Sequence, residues 1–191
     1  GSGPLATNTF TGIHAGIAPL SFGADMLANR DGLPIAHTTT GATVTVYGYA
    51  TINGTVSLQG RFSGPVDPGT VTFTEASGVY APVTVAFDGA TGAYTAVVPV
   101  DPGGMTYTAL ARHALYLSNL HSGMVLMPEQ TYPFPTTMLW AGDANNDGWV
   151  HIQDLSCIGG RYGLAPAVCG ATGWTDINAD GAVDIFDLSL T

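Results

Sequence analysis

Asp143-Ala144-Asn145-Asn146-Asp147-Gly148-Trp149-Val150-His151-Ile152-Gln153-Asp154-Leu155 recurs 33 residues later as Asp176-Ile177-Asn178-Ala179-Asp180-Gly181-Ala182-Val183-Asp184-Ile185-Phe186-Asp187-Leu188. Each copy sets a carboxylate or amide side chain at its first, third, fifth and twelfth positions, Gly at the sixth and Val at the eighth. Those offsets wrap a chain round one ion. Calcium is a hard cation that takes about six to eight oxygen ligands, and a short loop supplies them only where Gly permits a sharp turn midway. Asp143, Asn145, Asp147 and Asp154 are therefore the expected side-chain ligands of a first calcium ion, with the Trp149 carbonyl adding one more. Asp176, Asn178, Asp180 and Asp187 take those roles for a second ion, with the Ala182 carbonyl. His151 and Asp184 stand at the ninth position, where a ligand often acts through water, and of the two only Asp184 suits that role. Val150 and Val183 are expected to pair between the loops. One Asp-x-Asn-x-Asp-Gly run is often a solvated turn, but two copies with identical offsets argue against that.

The charge balance carries the same message. The 191 residues contain 4 Arg, no Lys, 12 Asp and 2 Glu, for a formal net charge of −10, and seven of the Asp follow residue 142. Seven carboxylates in so short a stretch repel one another unless a cation intervenes, and a unit of that size lacks a core sufficient by itself. The C-terminal unit is thus expected to fold only with calcium. A chain so poor in Lys and Arg cannot replace the counterions of a phosphate backbone or an anionic bilayer surface, which argues against nucleic acid and membrane surfaces as partners. No run of about eighteen apolar residues occurs, so membrane insertion is not expected, and no basic segment followed by an apolar stretch opens the chain, so an export signal is expected upstream. Cys157 and Cys169 lie twelve residues apart among the loops. A disulfide between them suits a calcium-rich extracellular setting, with two buried free thiols as the alternative. Asn53-Gly54-Thr55 fits a glycosylation sequon, but a tight turn is the favoured reading.

Upstream the composition is Gly, Thr, Val and Ala, with short β-branched runs broken by Gly, Pro and Asp. Thr55 to Gly60, Thr70 to Phe73 and Tyr107 to Ala111 alternate as strands of a small antiparallel sandwich. Pro128 to Pro135, with three prolines, reads as a stiff extended approach to the C-terminal unit. Within the first 47 residues, strands are expected at Leu5 to Phe10, Leu20 to Phe22 and Ala42 to Tyr47, too few to close a core. The expected fold class is mainly β: small antiparallel sandwich modules over 1–50 and 51–138, then a short α-helical calcium-binding module over 139–191.

Asp, rather than Glu, at the twelfth position and Asp-Leu-Ser opening the following helix make the segment from about Leu139 to Thr191 resemble a type I dockerin. That resemblance implies two calcium ions and docking onto a cohesin module through the tenth and eleventh loop positions, here Ile152, Gln153, Ile185 and Phe186. These are mostly apolar, unlike the Ser/Thr pairs of cellulosomal dockerins. Val56-Ser57-Leu58-Gln59-Gly60-Arg61, then Phe87-Asp88-Gly89-Ala90-Thr91-Gly92-Ala93-Tyr94 and Tyr107 to Leu110, resemble a carboxypeptidase regulatory-like sandwich. The stretches Gly1 to Phe10, Pro19 to Phe22, Ala28 to Ile35 and Val44 to Val46 resemble the last strands of a cohesin, which implies a sandwich completed by another polypeptide, with a processed fragment as the alternative.

Together these imply a non-catalytic, extracellular or cell-surface assembly or adhesion protein. Its partner would be a cohesin-like module or another copy of the same chain, giving a homo-oligomer, fibre or surface layer. An accessory region of a secreted polysaccharide-degrading enzyme, or a carbohydrate-binding protein using Trp140 or the tyrosines, is the alternative. Against catalysis, the acids outside the loops (Asp25, Asp31, Asp67, Asp88, Asp101, Glu75 and Glu129) stand mostly beside Gly or Pro or in other turn contexts. His113 and His121 flank Tyr116 without a third ligand at useful spacing and are expected to be ordinary strand or loop residues.

Overall fold

The computed structural model describes residues 9–21, 28–36, 38, 40–61 and 69–191. Most of the strand expected at Leu5 to Phe10 lies outside those residues, as do Phe22, Asp25 and Asp67. The first elements are β1 (Gly16–Leu20), β2 (Ala42–Val46), β3 (Gly48–Leu58), β4 (Thr70–Glu75), β5 (Val83–Ala86) and β6 (Ala93–Val100). They are followed by β7 (Met105–Arg112), β8 (Asn119–Leu126), β9 (Thr131–Pro133), β10 (Thr137–Leu139) and helix α1 (Ile152–Gly159). The short strands β11 (Val168–Cys169) and β12 (Gly173–Trp174) and helix α2 (Ile185–Ser189) complete the chain. The fold is mainly β.

Two four-stranded sheets face each other. One runs β5-β4-β7-β8, all antiparallel; in the other, β3 pairs antiparallel with β6 on one side and parallel with both β9 and β10 on the other. Alternation decides which side chains enter the core. From β3 these are Ala50, Ile52 and Val56; from β6 Tyr94, Ala96, Val98 and Val100; from β4 Val71 and Phe73; from β7 Tyr107, Ala109 and Ala111. Removing a large aliphatic or aromatic side chain of this kind from water contributes about 1.5–3 kcal/mol. At the turn before β6, Asp88 Oδ1 accepts from the Ala90 and Thr91 amides and the Thr91 hydroxyl. Gly92 follows at φ +69°, where a Cβ would run into the Val56 carbonyl oxygen.

Two expectations are corrected here. Asn53-Gly54-Thr55 is not a turn but the middle of β3, paired with Thr95, Tyr94 and Ala93. Gly54 occupies an inward position where the Tyr94 ring fills the place of a side chain, and Asn53 Oδ1 accepts from the Thr95 hydroxyl at 2.9 Å. The proline-rich segment is extended, as expected, but it is a paired strand of the sandwich rather than an approach to the C-terminal unit. Thr131–Pro133 lies along β3, with the Thr51 amide donating to the Gln130 carbonyl and the Phe134 amide to the Asn53 carbonyl. Proline is tolerated there because β9 pairs on one side only.

Near the N-terminus, β1 and β2 form an antiparallel hairpin from Gly16↔Val46 to Leu20↔Ala42, so the strand begins earlier than the expected Leu20 to Phe22. Glu129 ties the hairpin to the sandwich: its Oε1 accepts from the Ala15 amide at 2.8 Å and its Oε2 lies 3.2 Å from His14 Nδ1. Ile13, Ile17, Leu33 and Tyr47 on and around the hairpin are exposed.

Candidate functional site

The two repeats fold alike. The fourth position takes a left-handed backbone in both, at Asn146 (φ 59°) and Ala179 (φ 58°), and the sixth is Gly148 (φ 90°) or Gly181 (φ 92°). The curl turns backbone N–H groups inward, and the side-chain oxygens of the motif accept them. The first-position Asp accepts from the amides of the fifth residue (2.9 Å at Asp143, 3.2 Å at Asp176) and the sixth (2.8 and 2.9 Å). The third-position Asn Oδ1 accepts from the fifth amide at 3.0 Å in both, while its Nδ2 donates to the fifth-position Asp at 2.9 Å in both. The fifth-position Asp accepts from the seventh amide, at 3.0 Å in the first loop and 2.9 Å in the second. The twelfth-position Asp closes the loop by accepting from the third amide (Asn145 at 3.0 Å, Asn178 at 3.3 Å) and the ninth (His151 and Asp184, both 2.9 Å).

Those last contacts also start the helices. His151 and Asp184 are the N-caps of α1 and α2, and the twelfth-position Asp is the third helical residue, reaching back to the N-cap amide. Among the described residues no helix leads directly into either loop: β10 ends shortly before the first and β12 before the second. Cys157 on α1 is bonded to Cys169 on β11, with Cα atoms 5.8 Å apart, as favoured from the sequence. The expected Val150–Val183 pairing does not occur among the described backbone hydrogen bonds. Val183 is buried, and its carbonyl instead accepts from the Gly163 amide beyond α1 at 2.9 Å.

The loops bury charge. Asp143, Asp154, Asp176 and Asp187 are all buried, and among the described residues the only ion pairs of the loop carboxylates are with His151. His151 Nδ1 lies 2.7 Å from Asp154 and Nε2 lies 3.2 Å from Asp147. Burial pushes Asp143 above the ordinary carboxylate range, with the Asp154 and Asp147 charges adding to it against the hydrogen bonds from Gly148 and Asp147. Asp176 is raised for the same reasons, with Asp187 and Asp180 as its neighbours. At Asp154 burial pulls upward, but hydrogen bonds from the Asn145 and His151 amides and the His151 ring outweigh it and the carboxyl is lowered. The Asp154 hydrogen bond is the main reason His151 is raised.

A hard divalent cation suits this donor set. Among the described residues no three His, Cys, Asp or Glu side chains converge as a metal-holding group, so an ion here would also need the Asn145 or Asn178 amide oxygen and the Trp149 or Ala182 carbonyl. The four expected docking residues, Ile152, Gln153, Ile185 and Phe186, are all exposed on the first turns of α1 and α2, with Trp149 exposed beside them. His113 and His121 make aromatic contacts: His113 stacks on Phe87 and meets Tyr116 edge-on, and His121 meets Phe134 edge-on. The sequence did not reveal how the sandwich holds the loops. The Leu115 carbonyl accepts from the Gly142 and Asp143 amides, and the Tyr116 hydroxyl reaches the Ile177 carbonyl.

The fold and site define a β-sandwich protein bearing a pair of loop–helix repeats. It is similar to one chain of a crystallised N-terminal interface mutant of the type II cohesin–X–dockerin complex from Acetivibrio cellulolyticus. The TM-score is 0.54 at 19% sequence identity, over 74% of this chain and 92% of that one. The C-terminal interface mutant of the same complex matches with the same TM-score, identity and coverage. At that identity the likeness is one of fold. It spans about 141 of the 191 residues, more than the stretch 48–139 holds, so it draws on residues outside the sandwich. No family model matches the chain, and no curated protein matches it.

Proposed function

We propose that this chain is a non-catalytic assembly protein that works outside the cell, in which a β-sandwich carries a calcium-loaded docking unit. The observation that carries the reading is the repetition, at an offset of 33 residues, of the same left-handed fourth residue, the same Gly and the same inward hydrogen bonds in both loops. Two solvated turns have no need to share so many features, whereas two ion-binding loops must hold their oxygens alike. Asp143, Asn145, Asp147 and Asp154 would hold one calcium ion with the Trp149 carbonyl. Asp176, Asn178, Asp180 and Asp187 would hold the other with the Ala182 carbonyl. Bound calcium supplies positive charge to buried carboxylates that have no Lys or Arg partner among the described residues.

Filling the loops fixes the first turns of α1 and α2, which present Ile152, Gln153, Ile185 and Phe186 to solvent. The proposed partner is a cohesin-type β-sandwich, as in the complexes that share this fold. A second copy, joined through the exposed hairpin β1–β2, is the route to a homo-oligomer or fibre. The disulfide fits an extracellular setting. Among the described residues no helix is long and apolar enough to cross a membrane.

Calorimetric titration of the chelator-treated protein with calcium is the direct test. About two ions per chain, with a higher Tm in calcium than in chelator, is the expected result, and no binding heat and no change in Tm would refute the calcium assignment. Sedimentation with a purified type II cohesin module, and of the protein alone, then separates the two partners. Loss of the cohesin complex on Phe186→Asp supports docking through α2; a complex indifferent to it rejects that face.

A further inference from the structure

The connection between β7 and β8, residues 113–118, touches both loops. Its Leu115 carbonyl accepts from the Gly142 and Asp143 amides, both at 3.2 Å, and so holds the backbone at the first residue of the first loop. Leu115 takes a left-handed backbone to do so (φ 70°), a conformation that a branched side chain rarely adopts. Next to it, Tyr116 is buried, and its hydroxyl lies between the Gln59 carbonyl of the sandwich (3.3 Å) and the Ile177 carbonyl of the second loop (3.4 Å). Ile177 stands between two expected ligands, Asp176 and Asn178, and its own amide donates to a third, Asp187, at 2.7 Å.

Further contacts brace this connection. Tyr116 forms a β-bridge with Ala141, whose amide donates to Gln59 Oε1 at 3.1 Å, and the Leu117 amide donates to the Trp140 carbonyl at 2.8 Å. Leu190, just past α2, packs over Gly60. The apolar core runs without a break from the sandwich through Leu115, Tyr116 and Leu139 to Ala144, Ile158, Ile177 and Val183.

We propose that residues 113–118 are a positioning element of both ion sites, so that the sandwich and the loop unit bind calcium as one cooperative body. The inference rests on the calcium reading above and adds that Tyr116 and Leu115, which offer the ions no ligand, set the affinity by placing Ile177 and Asp143. Ordering by the ion then spreads into the sandwich, because the same backbone groups are shared.

Hydrogen–deuterium exchange of the full chain, with calcium and with chelator, is the test, beside calorimetric titration of wild type, Tyr116→Phe and Tyr116→Ala. In the wild type, calcium slows exchange in both loops and also at Ala109 to Ser118 and around Gln59. Tyr116→Phe keeps the ring and the core but removes the hydroxyl, and weakens calcium binding about two- to fivefold, as suits one long hydrogen bond. It also shrinks the calcium-dependent protection of the sandwich. Tyr116→Ala weakens binding further, and exchange at β3 and β6 reports whether that variant still folds. Calcium protection confined to the loops, or an unchanged affinity in a folded Tyr116→Phe, overturns the positioning role while leaving the calcium assignment standing. Absence of any calcium binding in the wild type overturns both.

Discussion

Asp187 separates what the loop carboxylates do for the fold from what they would do for an ion. It is fully buried and accepts three backbone amides, from Ile177 at 2.7 Å, Asp184 at 2.9 Å and Asn178 at 3.3 Å. Asp187→Ala strands those donors. Hydrogen bonds to a charged group contribute about 1.5–3 kcal/mol each. Two short bonds and one long one therefore set a loss of about 4 kcal/mol, less about 1 kcal/mol for the relieved repulsion with Asp176. A net cost of about 3 kcal/mol lowers the Tm by about 6–12 °C if the chain melts as a unit. That loss is expected in chelator where packing on the sandwich keeps the second loop folded without an ion; a loop that folds only with calcium shows it in calcium instead. Asp187→Asn keeps a carbonyl oxygen for Ile177 and Asn178 but turns an NH2 towards the Asp184 amide, and costs about half as much. Asp180 is the contrast: it is exposed and accepts from Ala182 and the Asn178 side chain, so Asp180→Ala costs about 1 kcal/mol or less in chelator. It should nevertheless remove calcium-dependent stabilisation at the second loop. Differential scanning calorimetry in calcium and in chelator measures all three. If Asp187→Ala melts with the wild type in chelator and in calcium alike, the hydrogen-bond account of the loop is wrong.

Replacing both Cys157 and Cys169 by Ser opens a cross-link between residues 12 apart in sequence and should cost about 2–3 kcal/mol, read by denaturant unfolding under non-reducing conditions. Gly92→Ala, at φ +69° and against the Val56 carbonyl, should destabilise the sandwich by more than about 2 kcal/mol; a Tm equal to wild type would show that the turn yields easily. Burial tends to raise the Glu75 carboxyl, but hydrogen bonds from Ser77, Val79 and Gly78 overcome it and hold it below the ordinary glutamate value of 4.5. A group lowered on folding contributes stability above its unfolded value and loses it as pH falls through the folded one. Glu75→Gln should therefore be less stable than wild type at pH 7, with the gap closing as the pH is taken down below that value. A gap that does not change with pH would refute this.

The loops were legible because their chemistry is local. Gly must stand at six for the sharp turn, and oxygen-bearing side chains at one, three, five and twelve accept the inward amides, so the curl survives in the residue order; the capping role of Asp154 and Asp187 emerged only from the structure. Strands with plain alternation, such as Thr70–Phe73 and Tyr107–Ala111, were legible for the same reason. What escaped depends on partners distant in sequence. Asn53-Gly54-Thr55 has the composition of a turn, and only Tyr94, brought opposite by the β3–β6 register, explains a glycine inside a strand. The prolines at 128, 133 and 135 suggest a spacer unless β3 is known to have an open edge beside them. Leu115 and Tyr116 carried no signal at all, since a left-handed leucine and a shared hydroxyl are products of packing.

The charge ledger explains why sandwich and loops should work together. The chain has 14 acidic residues against 4 Arg and no Lys, and four of its carboxylates are buried within the loops. The first loop tempers its charge with His151, in contact with Asp147 and Asp154. The second has Asp184 in that place, so its four carboxylates have no ion-pair partner among the described residues. A scaffold this poor in cations can satisfy such groups in two ways: backbone N–H donors, which the curled loops supply in number, and an ion from outside. The donors orient the oxygens but leave their mutual repulsion in place, because a hydrogen bond from a neutral amide adds no net charge. Holding the loops closed against that repulsion then falls to packing, and the packing at hand is Tyr116, Leu115 and Leu190 against the sandwich. The two parts are thus bound by a common requirement: the sandwich keeps the carboxylates together, and a cation bound as proposed would relieve the repulsion of keeping them so.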